Sequence, residues 1–285
     1  MNQLLPTLES SIDLIYIDPP FNTGTDFVLH GKLSGKAYSD RHAGGLAGYL
    51  AMMRPRLACM HRLLRETGTL YVHCDYRASS YLRVLLDEIF APDQLRAQII
   101  WHYQSGGRQK HCWSAKHDVI WMYSKSDDFN FNINAVSVPR GPERRNNMKR
   151  QVDENGKTFY TIRSAGKIYR YSEDDPITPS DVWSDISHLQ QKDPERTGYA
   201  TQKPEMLLER IILASSNEDA LVADFFCGSG TTLSVAQRLG RRWIGCDAQK
   251  VAVDICSQRL GGRDPSPLFE YRQSGASDES QQMPQ

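Results

Sequence analysis

The residues best suited to chemistry are Asp18-Pro19-Pro20-Phe21, a carboxylate, two prolines and an aromatic ring that end the apolar run Ile12-Asp13-Leu14-Ile15-Tyr16-Ile17. The run has the length and composition of a short buried strand. Neither proline can donate a ladder hydrogen bond, so the strand must stop there. Asp18, the carbonyls around the prolines and the Phe21 ring then stand in a stiff turn at the strand's carboxyl end, the edge at which open α/β sheets bind ligands. Taken alone, these residues fit equally well an ordinary proline turn with a capping aspartate, because Asp and Pro dominate such turns.

A second constellation lies near the other end of the chain. Ala220-Leu221-Val222-Ala223-Asp224 is again strand-like and runs into Phe225-Phe226-Cys227-Gly228-Ser229-Gly230-Thr231-Thr232. Glycines there permit positive φ and a close approach by a ligand, and the start of the following helix offers free N–H groups to an anion. A further strand, Arg242-Trp243-Ile244-Gly245-Cys246-Asp247, ends in an acid about twenty residues beyond the glycines, the spacing at which a carboxylate takes ribose hydroxyls in βαβ nucleotide folds. The full GxGxxG and the P-loop lysine are both missing, which points away from a dinucleotide or ATP and toward a smaller nucleoside ligand. His73, His102, His111 and His117 form no ligand pattern and the six cysteines have no zinc-like spacing, so no metal is expected.

The intervening elements must bring these two stretches together. Residues 22–48, dotted with glycine, read as a loop beside the site. Residues 49–65 carry apolar side chains at helical spacing, with Gly68 closing the helix. Residues 68–75 form a second strand, 81–90 an amphipathic helix, 97–101 a third strand and 117–123 another strand-like run. That rhythm implies a parallel sheet with crossovers. From 129 to 199 helical periodicity disappears and basic residues crowd together, among them Arg140, Arg144, Arg145, Lys149 and Arg150, interleaved with Tyr160, Tyr169 and Tyr171. This segment reads as a β-rich insertion, and its charge suits a solvated face and a local nucleic-acid surface equally. Residues 205–216 form a helix with Pro204 near its start.

A chain of 285 residues suits one large α/β domain with an insertion, or one domain and a half. Its formal net charge of +0 announces no nucleic-acid partner, so any such case rests on local clustering. The cysteines read as buried thiols of a reducing cytosol. Residues 1–10 lack the blocks of a signal peptide and no apolar run approaches a membrane span, so a soluble, cytoplasmic protein is expected.

Together, the two constellations resemble the amino-methyltransferases of restriction–modification systems, which use S-adenosylmethionine to methylate an exocyclic amine of adenine or cytosine in DNA. The echoes are Ile17-Asp18-Pro19-Pro20-Phe21-Asn22-Thr23-Gly24, Asp181-Val182-Trp183-Ser184-Asp185-Ile186, Thr201-Gln202-Lys203-Pro204 and Phe226-Cys227-Gly228-Ser229-Gly230-Thr231-Thr232. Their order is similar to that of the permuted β class, and the likeness covers roughly residues 8–260. It implies a Rossmann-like α/β methyltransferase sheet with helices on both faces, circularly permuted motifs and an inserted target-recognition region. The corresponding division is 1–128 for the catalytic half, 129–199 for the insert, 200–260 for the cofactor half and 261–285 for a partly disordered tail.

The resemblance also implies roles. Asp18 and the Pro19 carbonyl would accept hydrogen bonds from the target amine, with Pro20 completing the turn and Phe21 stacking on a base flipped from the duplex. Asp224, Phe226, Gly228 and Gly230 would surround the cofactor, with Thr231 near its carboxylate, Asp247 on the ribose, and Thr201 and Lys203 in an additional cofactor motif. Phe225 stands where the family usually has proline. Arg108, Lys110, Arg144, Arg145, Lys149 and Arg150 are the candidate DNA contacts. Asp at the head of the catalytic turn favours adenine N6; cytosine N4 is the alternative, and a non-catalytic DNA- or cofactor-binding module the third reading. The expected partners are double-stranded DNA, a separately encoded restriction endonuclease and a second copy of the chain.

Overall fold

The apolar run at the start of the chain forms strand β1 (Ile12–Ile17), every residue of it buried. Successive side chains of a strand point to opposite faces, so a strand is buried throughout only when both faces are covered. Ile15 and Ile17 face a cluster built on helices α1 (Gly45–Leu63) and α2 (Ser79–Phe90). Leu14 and Tyr16 face one built on α3 (Glu205–Ser215) and α4 (Thr231–Arg238). The structure, a computed structural model, describes residues 1–29, 35–40, 42–104, 109–140 and 147–261.

In chain order the further strands of the two larger sheets are β2 (Leu64–Cys74), β3 (Leu95–His102) and β4 (His117–Ser124), then β5 (Lys149–Val152), β6 (Thr158–Ser164) and β7 (Lys167–Ser172). Last come β8 (Val182–Trp183), β9 (Leu221–Asp224) and β10 (Arg242–Gly245), and helix α5 (Lys250–Gly261) follows them. Strands β5 to β7 make a separate antiparallel sheet. The others form one seven-stranded sheet in the order β8, β3, β4, β2, β1, β9, β10. This is the Rossmann-like α/β sheet, helices on both faces, that the resemblance implied.

Several local expectations give way. The sheet is mixed: β4 runs antiparallel to both β2 and β3. An antiparallel pair can be joined by a plain loop, whereas a parallel pair needs a crossover, and the described residues between β3 and β4 contain no crossover helix. Val182–Trp183, within the 129–199 segment, is an edge strand of the main sheet, parallel to β3. Gly68 does not close α1. That helix ends at Leu63 and β2 starts at Leu64, with Gly68 inside the strand. A Cβ there would stand 2.9 Å from the carbonyl oxygens of Arg65 and Ile12, at the point where the β1–β2 register shifts. Close backbone approach is what requires glycine.

Residues 22–48 are not all loop, since Asp26–Leu29 and Gly35–Ser39 pair as an antiparallel ribbon. Of the six cysteines expected to be buried, Cys112 and Cys246 are exposed. The tail expected at 261–285 lies outside the described residues after Gly261. Among the described residues no helix is long and apolar enough to cross a membrane.

Candidate active site

Strands β1 and β9 are parallel neighbours, with Leu14 opposite Val222 and Ile15 opposite Ala223. The turns that leave their carboxyl ends therefore open on one crevice, although most of the chain separates them. A cavity of about 460 Å³ fills it, with Asp18 and Pro20 on its wall together with Asp224, Phe226, Gly228, Thr231 and Asp247. Thr201 and Lys203 line it as well. Gly230 does not. Its φ of +74° and its contact with α5, where a Cβ would meet Cys256 Sγ at 2.4 Å, give it the task of packing the loop.

The Asp18 carboxylate is divided between two environments. Oδ2 accepts a hydrogen bond from Lys203 Nζ, which also lies 5.2 Å from the centre of the Phe21 ring. Oδ1 is buried and meets no donor among the described residues. A buried acceptor left unmatched costs about 1–3 kcal/mol, which a ligand N–H placed there would relieve. Lys203, assigned by resemblance to the cofactor, thus reaches the Asp18-Phe21 turn itself.

Phe21 stacks on His73, the ring centres 6.0 Å apart and the planes inclined by 26°. His73 has no access to solvent and is held at both nitrogens. Its Nδ1 lies 2.8 Å from Tyr16 Oη and its Nε2 lies 3.0 Å from Asp118 Oδ2. The Asp118 carboxylate can only accept, so a neutral His73 ring carries its hydrogen on Nε2 and takes the Tyr16 hydroxyl at Nδ1; burial and the neighbouring Asp18 carboxylate hold that phenol well above its usual range. Nε2–H then donates to Asp118, whose other oxygen accepts from Tyr103 Oη at 3.0 Å. Burial alone would raise the Asp118 carboxyl, but the hydrogen bond from His73, with the charge of Lys203 and the hydrogen bond from Tyr103, more than offsets it and holds it below its usual range. Every polar atom of this chain is matched, as a buried network requires. The result is a fixed floor under Phe21.

Asp40 shapes the other side of the turn. Its carboxylate accepts the backbone N–H groups of Phe21 (3.2 Å), Asn22 (2.9 Å) and Thr23 (2.8 Å). Asn22 is in the left-handed region at φ 58°, a conformation that this clamp helps to hold. Neither Asp40 nor the His73–Asp118 pair was singled out by the sequence. The available signal was a polar residue inside an apolar strand, as in Val72-His73-Cys74 and His117-Asp118-Val119; Asp40 carries no such mark.

At the opposite end of the cavity, Asp224 Oδ1 accepts from Phe226 N–H at 3.0 Å and Oδ2 from the Thr232 hydroxyl at 2.6 Å. Burial pushes its carboxyl up to about 7, against those two hydrogen bonds. Asp247 Oδ2 accepts from Gly228 N–H at 3.0 Å, and burial raises this carboxyl too. A side chain on Gly228 would meet the Tyr199 ring at 3.1 Å. Arg259, from α5, donates to Thr231 Oγ1 at 2.9 Å and so ties the last helix to the glycine turn.

Of the candidate DNA contacts, Lys110 is exposed in the β3–β4 loop, and Lys149 and Arg150 are exposed on β5. Arg150 donates to Thr158 Oγ1 at 3.0 Å. Arg108, Arg144 and Arg145 lie outside the described residues. The Asp181–Ile186 echo is structural: it supplies β8, and Arg210 of α3 pairs with Asp185 and covers the Trp183 ring at 5.0 Å.

The family model described as DNA methylase matches residues 12–258 of this chain. The type II methyltransferase M.HpaI of Haemophilus parainfluenzae is 32% identical over 253 residues, 88% of this chain and 69% of that protein. The DNA adenine methyltransferase YhdJ of Escherichia coli (strain K12) is 28% identical over 256 residues, 88% of this chain and 76% of that protein. Among solved structures, the complex of M1.HpyAVI with SAM matches with a TM-score of 0.54 at 18% identity, covering 91% of this chain and 95% of that one. The cytosine-N4-specific PvuII DNA methyltransferase matches with a TM-score of 0.56 at 18% identity, covering 91% and 90%. With these two structures the chain shares a fold.

Proposed function

Because this chain belongs to the N6/N4 DNA methylase family, we propose that it transfers a methyl group from S-adenosylmethionine to the N6 amine of an adenine flipped out of double-stranded DNA. The observation that carries the reading is the buried Asp18 Oδ1, which has no donor of its own and stands in one cavity with the glycine turn. An exocyclic amine brings two N–H donors. One would go to Asp18 Oδ1 and the other to the Pro19 carbonyl, which leaves the nitrogen lone pair directed into the cavity. Phe21, backed by His73, would take the face of the base.

The donor set fits the cofactor. Asp18 and Asp247 line the cavity with the cations Arg56 and Lys203, and Asp224 joins them with a carboxyl that burial raises to about 7. That set offers acceptors to ribose hydroxyls and no surplus of cations for a polyphosphate. When bound, S-adenosylmethionine supplies a methyl group on a sulfonium, already a good leaving group. The new N–C bond would form as the sulfonium C–S bond breaks and leaves a neutral thioether; the amine nitrogen would then be cationic, and Asp18 Oδ1, hydrogen bonded to it, would receive its proton. Lys203 keeps the other oxygen in place. The rate gain on this reading comes from alignment and exclusion of water.

Adenine is supported by Asp at the head of the turn and by the relative YhdJ, a DNA adenine methyltransferase. Cytosine N4 is the second reading, kept by the shared fold of the PvuII enzyme. On the same reading the β5–β7 segment recognises the target sequence, and a restriction endonuclease would be encoded separately.

The test is tritiated methyl transfer to unmethylated genomic DNA followed by nucleoside analysis. Label in N6-methyladenine is expected; label in N4-methylcytosine would overturn the base assignment. Asp18→Ala should abolish transfer while binding the cofactor as tightly as the parent protein, and near-normal activity would remove Asp18 from the reaction.

A further inference from the structure

Trp113 is 99% exposed, in the loop between β3 and β4, and the reaction described above makes no use of it. Tryptophan ordinarily buries most of its large apolar surface. Here the backbone holds it out. Tyr103 N–H donates to the Lys116 carbonyl at 3.0 Å and closes the stem of the loop. Gln109 N–H donates to Ser114 Oγ at 2.9 Å and closes its outer part, with Trp113 adjoining that bond.

The position of the loop follows from the sheet. Strand β4 is antiparallel to both β3 and β2, and β2 is parallel to β1. The β3–β4 loop therefore leaves the same edge as Asp18-Phe21. Ring contacts run without a break from its stem to the catalytic turn: Tyr103 on Trp101 at 4.8 Å, Trp101 on His73 at 5.6 Å, His73 on Phe21 at 6.0 Å. Lys110 and Lys116 lie on either side of Trp113, and residues 103–117 contain no Asp or Glu. A projecting aromatic ring on a purely basic loop, at the sheet edge that carries the Asp18 turn, matches a polyanion with a stacked interior.

We propose that Trp113 enters the base stack of duplex DNA and fills the gap left when the target nucleotide swings into the Asp18 pocket. Extrusion of a base forfeits its stacking and pairing, and a ring inserted in its place restores stacking to the neighbouring base pairs. Phe21 serves the flipped base; Trp113 serves the duplex it has left. The inference rests on the reading of DNA as substrate.

Its test begins by mapping the recognition sequence in methylated DNA. Two duplexes carrying that site are then compared in single-turnover methyl transfer, one fully paired and one with the target opposite an abasic position, where extrusion is easier. Trp113→Ala should be slower by about tenfold to a hundredfold on the paired duplex and close to the parent protein on the abasic one. Trp113→Phe should keep most of the rate on both. Parent-like rates for Trp113→Ala on the paired duplex would overturn the proposal, as would equal losses on both duplexes. A smaller species in sedimentation for Trp113→Ala would place the ring between two copies of the chain and overturn it too. If the parent protein transfers no label to any DNA, the DNA reading fails and this inference falls with it.

Discussion

Asp40 offers the sharpest separation between holding the catalytic turn and holding the cofactor. Its carboxylate has no access to solvent, and it accepts three successive N–H groups, Oδ2 from Phe21 and Thr23 and Oδ1 from Asn22. In Asp40→Asn the single remaining oxygen can still take Phe21 and Thr23. The new NH2 then faces the Asn22 N–H, donor against donor. A hydrogen bond to a charged acceptor contributes about 1.5–3 kcal/mol, so losing one and weakening two costs the native turn about 2–4 kcal/mol. Phe21, Asn22 and Thr23 are only half-buried, so water can satisfy the released groups if the turn opens. Most of the cost should therefore appear as displacement of the turn, with Asn22 free to leave its left-handed conformation, and about 1 kcal/mol or so as lost global stability. A shift of about 1 Å at a positioning group lowers a rate about a hundredfold. The expectation for Asp40→Asn is a hundredfold lower kcat for methyl transfer, a larger fall for Asp40→Ala, and a cofactor Kd within about twofold of the parent protein by calorimetry. A kcat for Asp40→Ala within twofold of the parent would refute the reasoning, and so would parallel losses of kcat and cofactor affinity.

Asp224 predicts a pH dependence. Its carboxyl is pushed by burial from 3.8 up to about 7, so between those values the folded chain holds a proton that the unfolded chain has released. Stability from this group is then full at low pH and falls as pH rises through that window. Urea denaturation of Asp224→Asn should lack this downward slope between about pH 4 and 7, and a slope equal to the parent protein's would exclude the group. Gly230→Ala should cost about 2–4 kcal/mol, combining a left-handed alanine with a Cβ only 2.4 Å from Cys256 Sγ. Cofactor titration should weaken with it, and Cys256→Gly in the same chain should recover part of the stability; full parental stability in Gly230→Ala alone would show that α5 yields freely.

The sequence by itself determined what is local. Prolines must end β1 after Ile17, so the carboxylate and ring of Asp18-Phe21 had to stand at a strand end. Glycines at 228 and 230 had to mark a turn of unusual backbone, here with φ values of +48° and +74°. Periodicity marked α2 and α3, because a helix that buries one face must repeat its apolar residues every three to four positions. Together with the spacing to Asp247, these marks turned the reading toward a nucleoside pocket and away from a phosphate loop.

Tertiary structure decided which distant residues meet. The β1–β9 register places the two turns on one cavity, and through it Lys203 reaches across 185 positions to Asp18. The direction of β4 lifts Trp113 onto the catalytic edge and sets Asp118 against His73. Asp40 is an unremarkable acid in a glycine-dotted stretch until three backbone N–H groups converge on it. Strand order and direction follow from how whole faces are buried together, and no window of neighbouring residues carries that information.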